Sequence, residues 1–200
     1  MFKIIMTVIL VLGFNTVNAK SILVFGDSIS AGYGINVEEG WVALLQHKLS
    51  ATKKPFAVVN ESISGETTAG GLARIDAALA KFKPDIVLLE LGANDGLRGL
   101  SPQVMQNNLS AMVTRAEKAG AKVLLLGIRI PPNYGKRYAD MFYGVFNQLA
   151  LNLKIAWVPF MLEDVALNPQ LMQADGLHPN AAAQPIMLAH IWQYLEPLLQ

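Results

Sequence analysis

The run SILVFGDSIS (residues 21–30) passes from a string of apolar side chains straight into Gly26, Asp27 and Ser28. Three further runs have the same make-up: FAVVN (56–60), IVLLEL (86–91) and KVLLLGI (122–128). Strands that are apolar on both faces suit a parallel sheet covered on both sides, where no face meets water. A fifth run, KIAWVPF (154–160), reads as an edge strand, because Pro159 has no N–H to give to a neighbour.

Between these runs the period changes from two to three and four. Leu72, Ile75, Leu79 and Phe82 form one stripe, and Phe142, Val145, Phe146, Leu149 and Leu153 form another. Met105, Leu109, Met112 and Ala116 form a third, with Ser101 as an expected cap, Pro102 at the first position and Gly120 as the stop. Met187, Ile191, Leu195 and Leu198 form the last. Stripes of this kind face a core. Strand–helix alternation from residue 20 to residue 200 predicts an α/β fold, a single-domain three-layer α/β/α sandwich with a mainly parallel sheet. Such sheets collect ligands at the carboxyl ends of their strands.

Composition narrows the chemistry further. The 200 residues contain no cysteine, so disulfides, thiolate nucleophiles and cysteine-based metal sites are excluded. Lys3 followed by the apolar run from Ile4 to Phe14 and the small-residue site Val17-Asn18-Ala19 reads as a signal peptide. The run is shorter than the ~20 residues that span a bilayer, so cleavage near Ala19 and a periplasmic or secreted location are expected, with no stable membrane span. Loss of Lys3 would leave the charges balanced, and no basic block appears that would hold nucleic acid.

Four polar clusters fall where the fold would place a site. They are GDSISAGYG (26–34), NESISGET (60–67), GAND (92–95) and DGLHPN (175–180). Turn chemistry also puts Gly, Asn, Asp and Ser after strands, so each cluster alone is weak, and their joint content carries the reading. Serine hydrolysis needs a nucleophile, a base, a group that orients the base, and donors for the oxyanion. Of three histidines, His47 and His190 sit inside amphipathic helical segments. His178 lies in a loop with Asp175 three residues before it, a spacing that lets the carboxylate hold one ring nitrogen while the other faces a nucleophile. The alternative is that Asp175 or Asn180 caps the last helix. No serine satisfies G-x-S-x-G, and neither phosphate-binding glycine pattern can be read after the first strand. One loop histidine and one aspartate also fall short of a metal ligand set.

The four blocks together resemble the SGNH (GDSL) hydrolase family, over the whole chain after residue 19 and in the family's order. GDSISAGYG, SISGETTAGGLARI, ELGANDGLRG and IRIPPNYGKRY (128–138) are similar to the bacterial thioesterase I/lysophospholipase L1/arylesterase group in particular. Ala93 departs from that group's pattern, which often has a second glycine there. The resemblance implies a flavodoxin-like sheet and an acyl-ester or thioester hydrolase that works as a monomer without cofactor or metal. It implies Ser28 as nucleophile, His178 as base and Asp175 as its orienting partner. The oxyanion hole would comprise the N–H groups of Ser28 and Gly65 and the Asn94 amide. Asp27 and Asp95 are expected to support their own turns, and Asn60 to brace the Ser28 loop. The segment 96–100 is expected beside the acyl chain. A small-acyl carbohydrate or aryl esterase on the same scaffold is the alternative enzyme, and a noncatalytic binding module the alternative outside catalysis.

Overall fold

A computed structural model describes residues 20–52, 54 and 56–200; the expected signal peptide, residues 1–19, lies outside the described residues. Five strands form one parallel sheet in the order β2-β1-β3-β4-β5. They are β1 (Lys20–Gly26), β2 (Phe56–Asn60), β3 (Ile86–Glu90), β4 (Lys122–Leu126) and β5 (Ala156–Val158). The central strands bear out the apolar pattern: Ile22 to Phe25, Ile86 to Leu89 and Val123 to Leu126 are all buried. The fifth strand is at an edge as expected but spans only three residues. Lys154 caps the preceding helix in a left-handed conformation, and the chain leaves the sheet at Pro159.

Among the described residues there are seven α-helices: α1 (Ser28–Ala31), α2 (Trp41–Ala51), α3 (Thr68–Phe82), α4 (Ala93–Leu97), α5 (Pro102–Lys118), α6 (Lys136–Leu153) and α7 (Gln184–Leu195). The order of strands moves outward from β1 to β2, then back across β1 to β3. Right-handed crossovers therefore put α2 on one face and α3 on the other. Helices α3, α5 and α6 pack side by side on one face, and α7 joins α2 on the opposite face. All four predicted helical stripes belong to these helices or, for Leu198, to the short turn after α7, and they bury residues such as Ile75, Met112, Phe146 and Ile191. Ser101 does stand at the N-cap of α5 with Pro102 following, but its side chain makes no capping bond. Gly120 takes φ +90°, the left-handed stop expected of it. Among the described residues no helix is long and apolar enough to cross a membrane.

Two short helices were not legible beforehand. Helix α1 begins two residues after the end of β1 and α4 three residues after the end of β3, so the polar clusters there are helical turns and not open loops. Their apolar content is too small to produce a stripe.

Candidate active site

Reversal of strand order leaves a crevice between the carboxyl ends of β1 and β3, since the chain runs in opposite directions away from it on the two sides. Ser28 opens α1 at the end of β1, and Asn94 lies in α4 at the end of β3. Asp27 caps α1, accepting from the N–H of Ile29 through Oδ1 at 3.1 Å, so the turn-supporting role expected of it is met. The cap fixes the turn that presents the partly exposed Ser28 side chain.

The loop before α7 delivers His178 to this crevice. A bridge between Met172 and Pro179 closes the loop, and the Gln173 N–H donates to the His178 carbonyl at 2.7 Å. Gln173 Nε2 donates to the Tyr33 carbonyl at 2.7 Å, tying the loop to the segment after α1. His178 Nε2 then lies 2.9 Å from Ser28 Oγ, and His178 Nδ1 lies 2.6 Å from Asp175 Oδ2. Asp175 Oδ1 accepts from the N–H groups of Leu177 and His178 at 2.9 and 3.0 Å. Partial desolvation raises the Asp175 pKa, but these bonds outweigh it and hold the carboxyl at about 2, so it is ionised at neutral pH. Neither Asp175 nor Asn180 caps α7 through its side chain. His47 is exposed on α2, while His190 faces Asp164 at 3.4 Å, away from this chain of contacts.

On the other side of Ser28 lies a group that the sequence reading passed over. The β1–β3 register pairs Gly26 with Glu90, whose side chain is fully buried beneath the Ser28 turn. Glu90 Oε2 accepts from Ser30 Oγ at 2.7 Å and from the Asp27 N–H at 3.2 Å. A Cβ at Gly26 would stand 2.7 Å from the same oxygen, so the glycine is what lets the carboxyl in. Burial, and then the adjacent Asp27 carboxyl, push the Glu90 pKa well above its ordinary value. Burial likewise lifts Asp27 to about 6, against the bond from Ile29, the nearby His178 and the bond from Asn94. The sequence did hold a signal for Glu90: a carboxylate in the otherwise apolar run IVLLEL has to be buried with partners.

Asn94 Nδ2 donates to Asp27 Oδ2 at 3.2 Å, which engages one of its two amide hydrogens and leaves one for a guest. Asn60 Nδ2 donates to the Ser30 carbonyl at 2.8 Å, the brace expected from the neighbouring strand. Gly65 has φ +81° in the loop after β2, and an added Cβ would meet nothing nearer than Arg98 Nη2 at 3.9 Å. Its left-handed φ by itself calls for glycine. Asp95 departs from expectation. Its carboxylate reaches across to α3, accepting from the Thr68 N–H at 2.8 Å and from Thr68 Oγ1 at 2.5 Å, and so joins the Asn94 turn to the Gly65 loop. Ala93 sits inside α4, where a methyl group is no obstacle.

From this crevice a cavity of about 500 Å³ extends along the strand ends. Ser28, Asn94 and His178 occupy its lining together with Ile29, Leu97, Ile128, Ile130, Phe160, Leu162, Leu167 and Leu177. Of the segment 96–100 only Leu97 lines this cavity, and Arg98 donates to the Gly65 carbonyl at 2.8 Å. An apolar channel ending at a Ser–His–Asp chain is suited to placing the carbonyl of an acyl chain against Ser28 Oγ.

The chain is similar to known proteins over most of its length. The family model for the GDSL-like Lipase/Acylhydrolase family matches residues 24–185. Esterase TesA of Pseudomonas aeruginosa is 54% identical over 181 residues, covering 90% of each chain. Thioesterase 1/protease 1/lysophospholipase L1 of Escherichia coli (strain K12) is 42% identical over 191 residues, covering 96% of this chain and 90% of the other. A crystal structure of TesA superposes with a TM-score of 0.88 at 53% identity, covering 90% of this chain and 99% of that one. The chain belongs to the GDSL-like lipase/acylhydrolase family.

Proposed function

We propose that this protein is a serine esterase and thioesterase acting on acyl esters and thioesters of medium or long chain. One observation carries the reading: Ser28 Oγ, His178 and Asp175 are in continuous hydrogen bonding at the mouth of an apolar cavity. The named activities of its relatives support the same chemistry.

The reaction runs in two steps. Ser28 Oγ attacks the substrate carbonyl while its proton passes to His178 Nε2, and the ionised Asp175 stabilises the imidazolium that forms. The carbonyl oxygen takes up the negative charge and is met by the N–H groups of Ser28 and Gly65 and the free amide hydrogen of Asn94. Collapse breaks the bond to the alcohol or thiol, which leaves with the proton from His178, and an acyl-Ser28 ester remains. Water then gives its proton to His178 and attacks that ester, and Ser28 regains its proton as the free acid departs. Each step uses this chain's own groups. We assign export to residues 1–19, monomeric action to residues 20–200 and a periplasmic setting to the reaction; the leader sequence supports the export reading.

The test is turnover of a p-nitrophenyl acyl series and matching acyl-CoAs by the purified protein, with Ser28→Ala alongside. Expected is a preference for medium or long chains and a loss on the order of 10⁵–10⁶-fold in kcat in the variant. Turnover confined to acetyl esters would move the protein to the small-acyl esterases. Full activity in Ser28→Ala would end the nucleophile assignment. No turnover in either protein, with no fluorophosphonate label on Ser28, would leave a binding module.

A further inference from the structure

Of the described residues lining the cavity, Arg129 alone carries a permanent charge. It follows β4, two strand spacings from β1 and hence roughly 10 Å across the sheet from the Ser28 end. The aliphatic side chains Ile128, Ile130 and Leu162 line the same cavity. The Arg129 guanidinium is carried on aromatic faces, 4.3 Å from the Tyr143 ring centroid and 5.3 Å from that of Phe160. Tyr143 is held in turn against Trp157 of β5, with ring centroids 6.5 Å apart. None of the ion pairs among the described residues involves Arg129. Stacking restrains the planar guanidinium of the exposed Arg129, whose fork of N–H donors has the geometry that matches a carboxylate.

We infer that the far end of the cavity is an anion-recognition point. Its preferred substrates are esters and thioesters whose acyl chain ends in a carboxylate, with Arg129 as the specificity residue. This rests on the proposed function for the reaction itself. A methyl end reaching Arg129 would gain little from the guanidinium. A terminal carboxylate would accept two N–H bonds there while its methylene chain fills the apolar channel. The distance suits diacid chains of intermediate length, and shorter diacids would leave their carboxylate stranded against aliphatic walls.

The test compares N-acetylcysteamine thioesters of succinic, adipic, suberic, sebacic and dodecanedioic acids with their ω-methyl esters. The quantity read is the ratio of kcat/KM for the free carboxylate to that for the neutral partner, in the wild type, Arg129→Met and Arg129→Lys. Expected is a ratio above one near suberic or sebacic acid that falls about tenfold in Arg129→Met, the scale of a charge-assisted bond. Partial recovery in Arg129→Lys is expected, and the wild-type preference should shrink with added salt. A wild-type ratio below one across the series, or a ratio unmoved in Arg129→Met, overturns the inference. A loss in Arg129→Met seen only for octanoyl-CoA against octanoyl-N-acetylcysteamine also overturns it, because the guanidinium then meets the leaving group. Calorimetric binding of monomethyl sebacate to Ser28→Ala, with and without Arg129→Met, separates this inference from the catalytic reading. If no ester at all is turned over, the catalytic reading fails, yet about tenfold weaker binding without Arg129 still upholds the anion point. Equal binding in that experiment rejects it.

Discussion

Asp175 meets His178 from a partly exposed loop, whereas Asp27 and Glu90 lie with no exposed surface on the opposite side of Ser28. The same functional group is driven in opposite directions. In the loop, desolvation is the largest single influence, yet the hydrogen bonds together outweigh it and the Asp175 pKa falls to about 2. Beneath the turn, burial dominates and both carboxyls are lifted, Asp27 to about 6. In the proposed reaction Asp175 has to stay charged to steady an imidazolium, and it lies where water shares the cost of the charge. A group that holds a backbone turn in place can be buried, because its hydrogen bonds do the holding whether or not it is ionised.

This contrast separates activity from stability and can be broken by substitution. The largest effect is expected on the exposed side. His178→Ala should lower kcat by roughly 10⁴-fold or more, while thermal unfolding by calorimetry stays within about 2 °C of the wild type. A large fall in Tm would make His178 a structural residue. Asn94→Ala should follow, with a loss of about 10²–10³ in kcat and little change in KM, as for one lost oxyanion donor. A rise in KM alone would reassign Asn94 to substrate binding.

The buried side should respond in the other currency. Glu90→Ala leaves the Ser30 hydroxyl and the Asp27 N–H without their acceptor, at about 1–3 kcal/mol each. Urea unfolding should show a loss of roughly 2–5 kcal/mol, with Glu90→Gln recovering much of it because the shape and one acceptor remain. An unchanged midpoint in Glu90→Ala would show that the turn does not rest on this carboxyl.

The smallest expected effect is in the pH dependence of stability. Asp27 binds its proton more tightly folded than unfolded, so its contribution is fully present below the ordinary value of 3.8 and lost as pH rises through about 6. Asp175 has the opposite sign: its contribution is present above 3.8 and lost as pH falls toward about 2. Urea midpoints measured across this range should therefore decline between pH 4 and 6 in the wild type more than in Asp27→Asn. Parallel curves for the two proteins would mean that the folded state does not raise the Asp27 pKa.

Much of this molecule was legible from pattern alone. Fully apolar runs and helical stripes specify a parallel sheet covered on both faces, because burial and periodicity act over a few residues. The blocks around Ser28, Gly65, Asn94 and His178 mark candidate positions at strand ends for the same reason: their turn chemistry is local. What lay out of reach depended on residues far apart in the chain. Glu90 reaches the Ser28 turn only through the β1–β3 register, and Asp95 grips Thr68 only once α3 and α4 are adjacent. Arg129 joins the cavity because β4 and β5 end beside each other, setting Phe160 under its guanidinium. By itself, then, the sequence determined the strands, the long helices and the residue kinds available at each strand end, which follow from local hydrophobic period and turn preference. The tertiary structure alone decided which of those side chains meet and which carboxyls keep their charge, because both depend on burial created by neighbours distant in sequence.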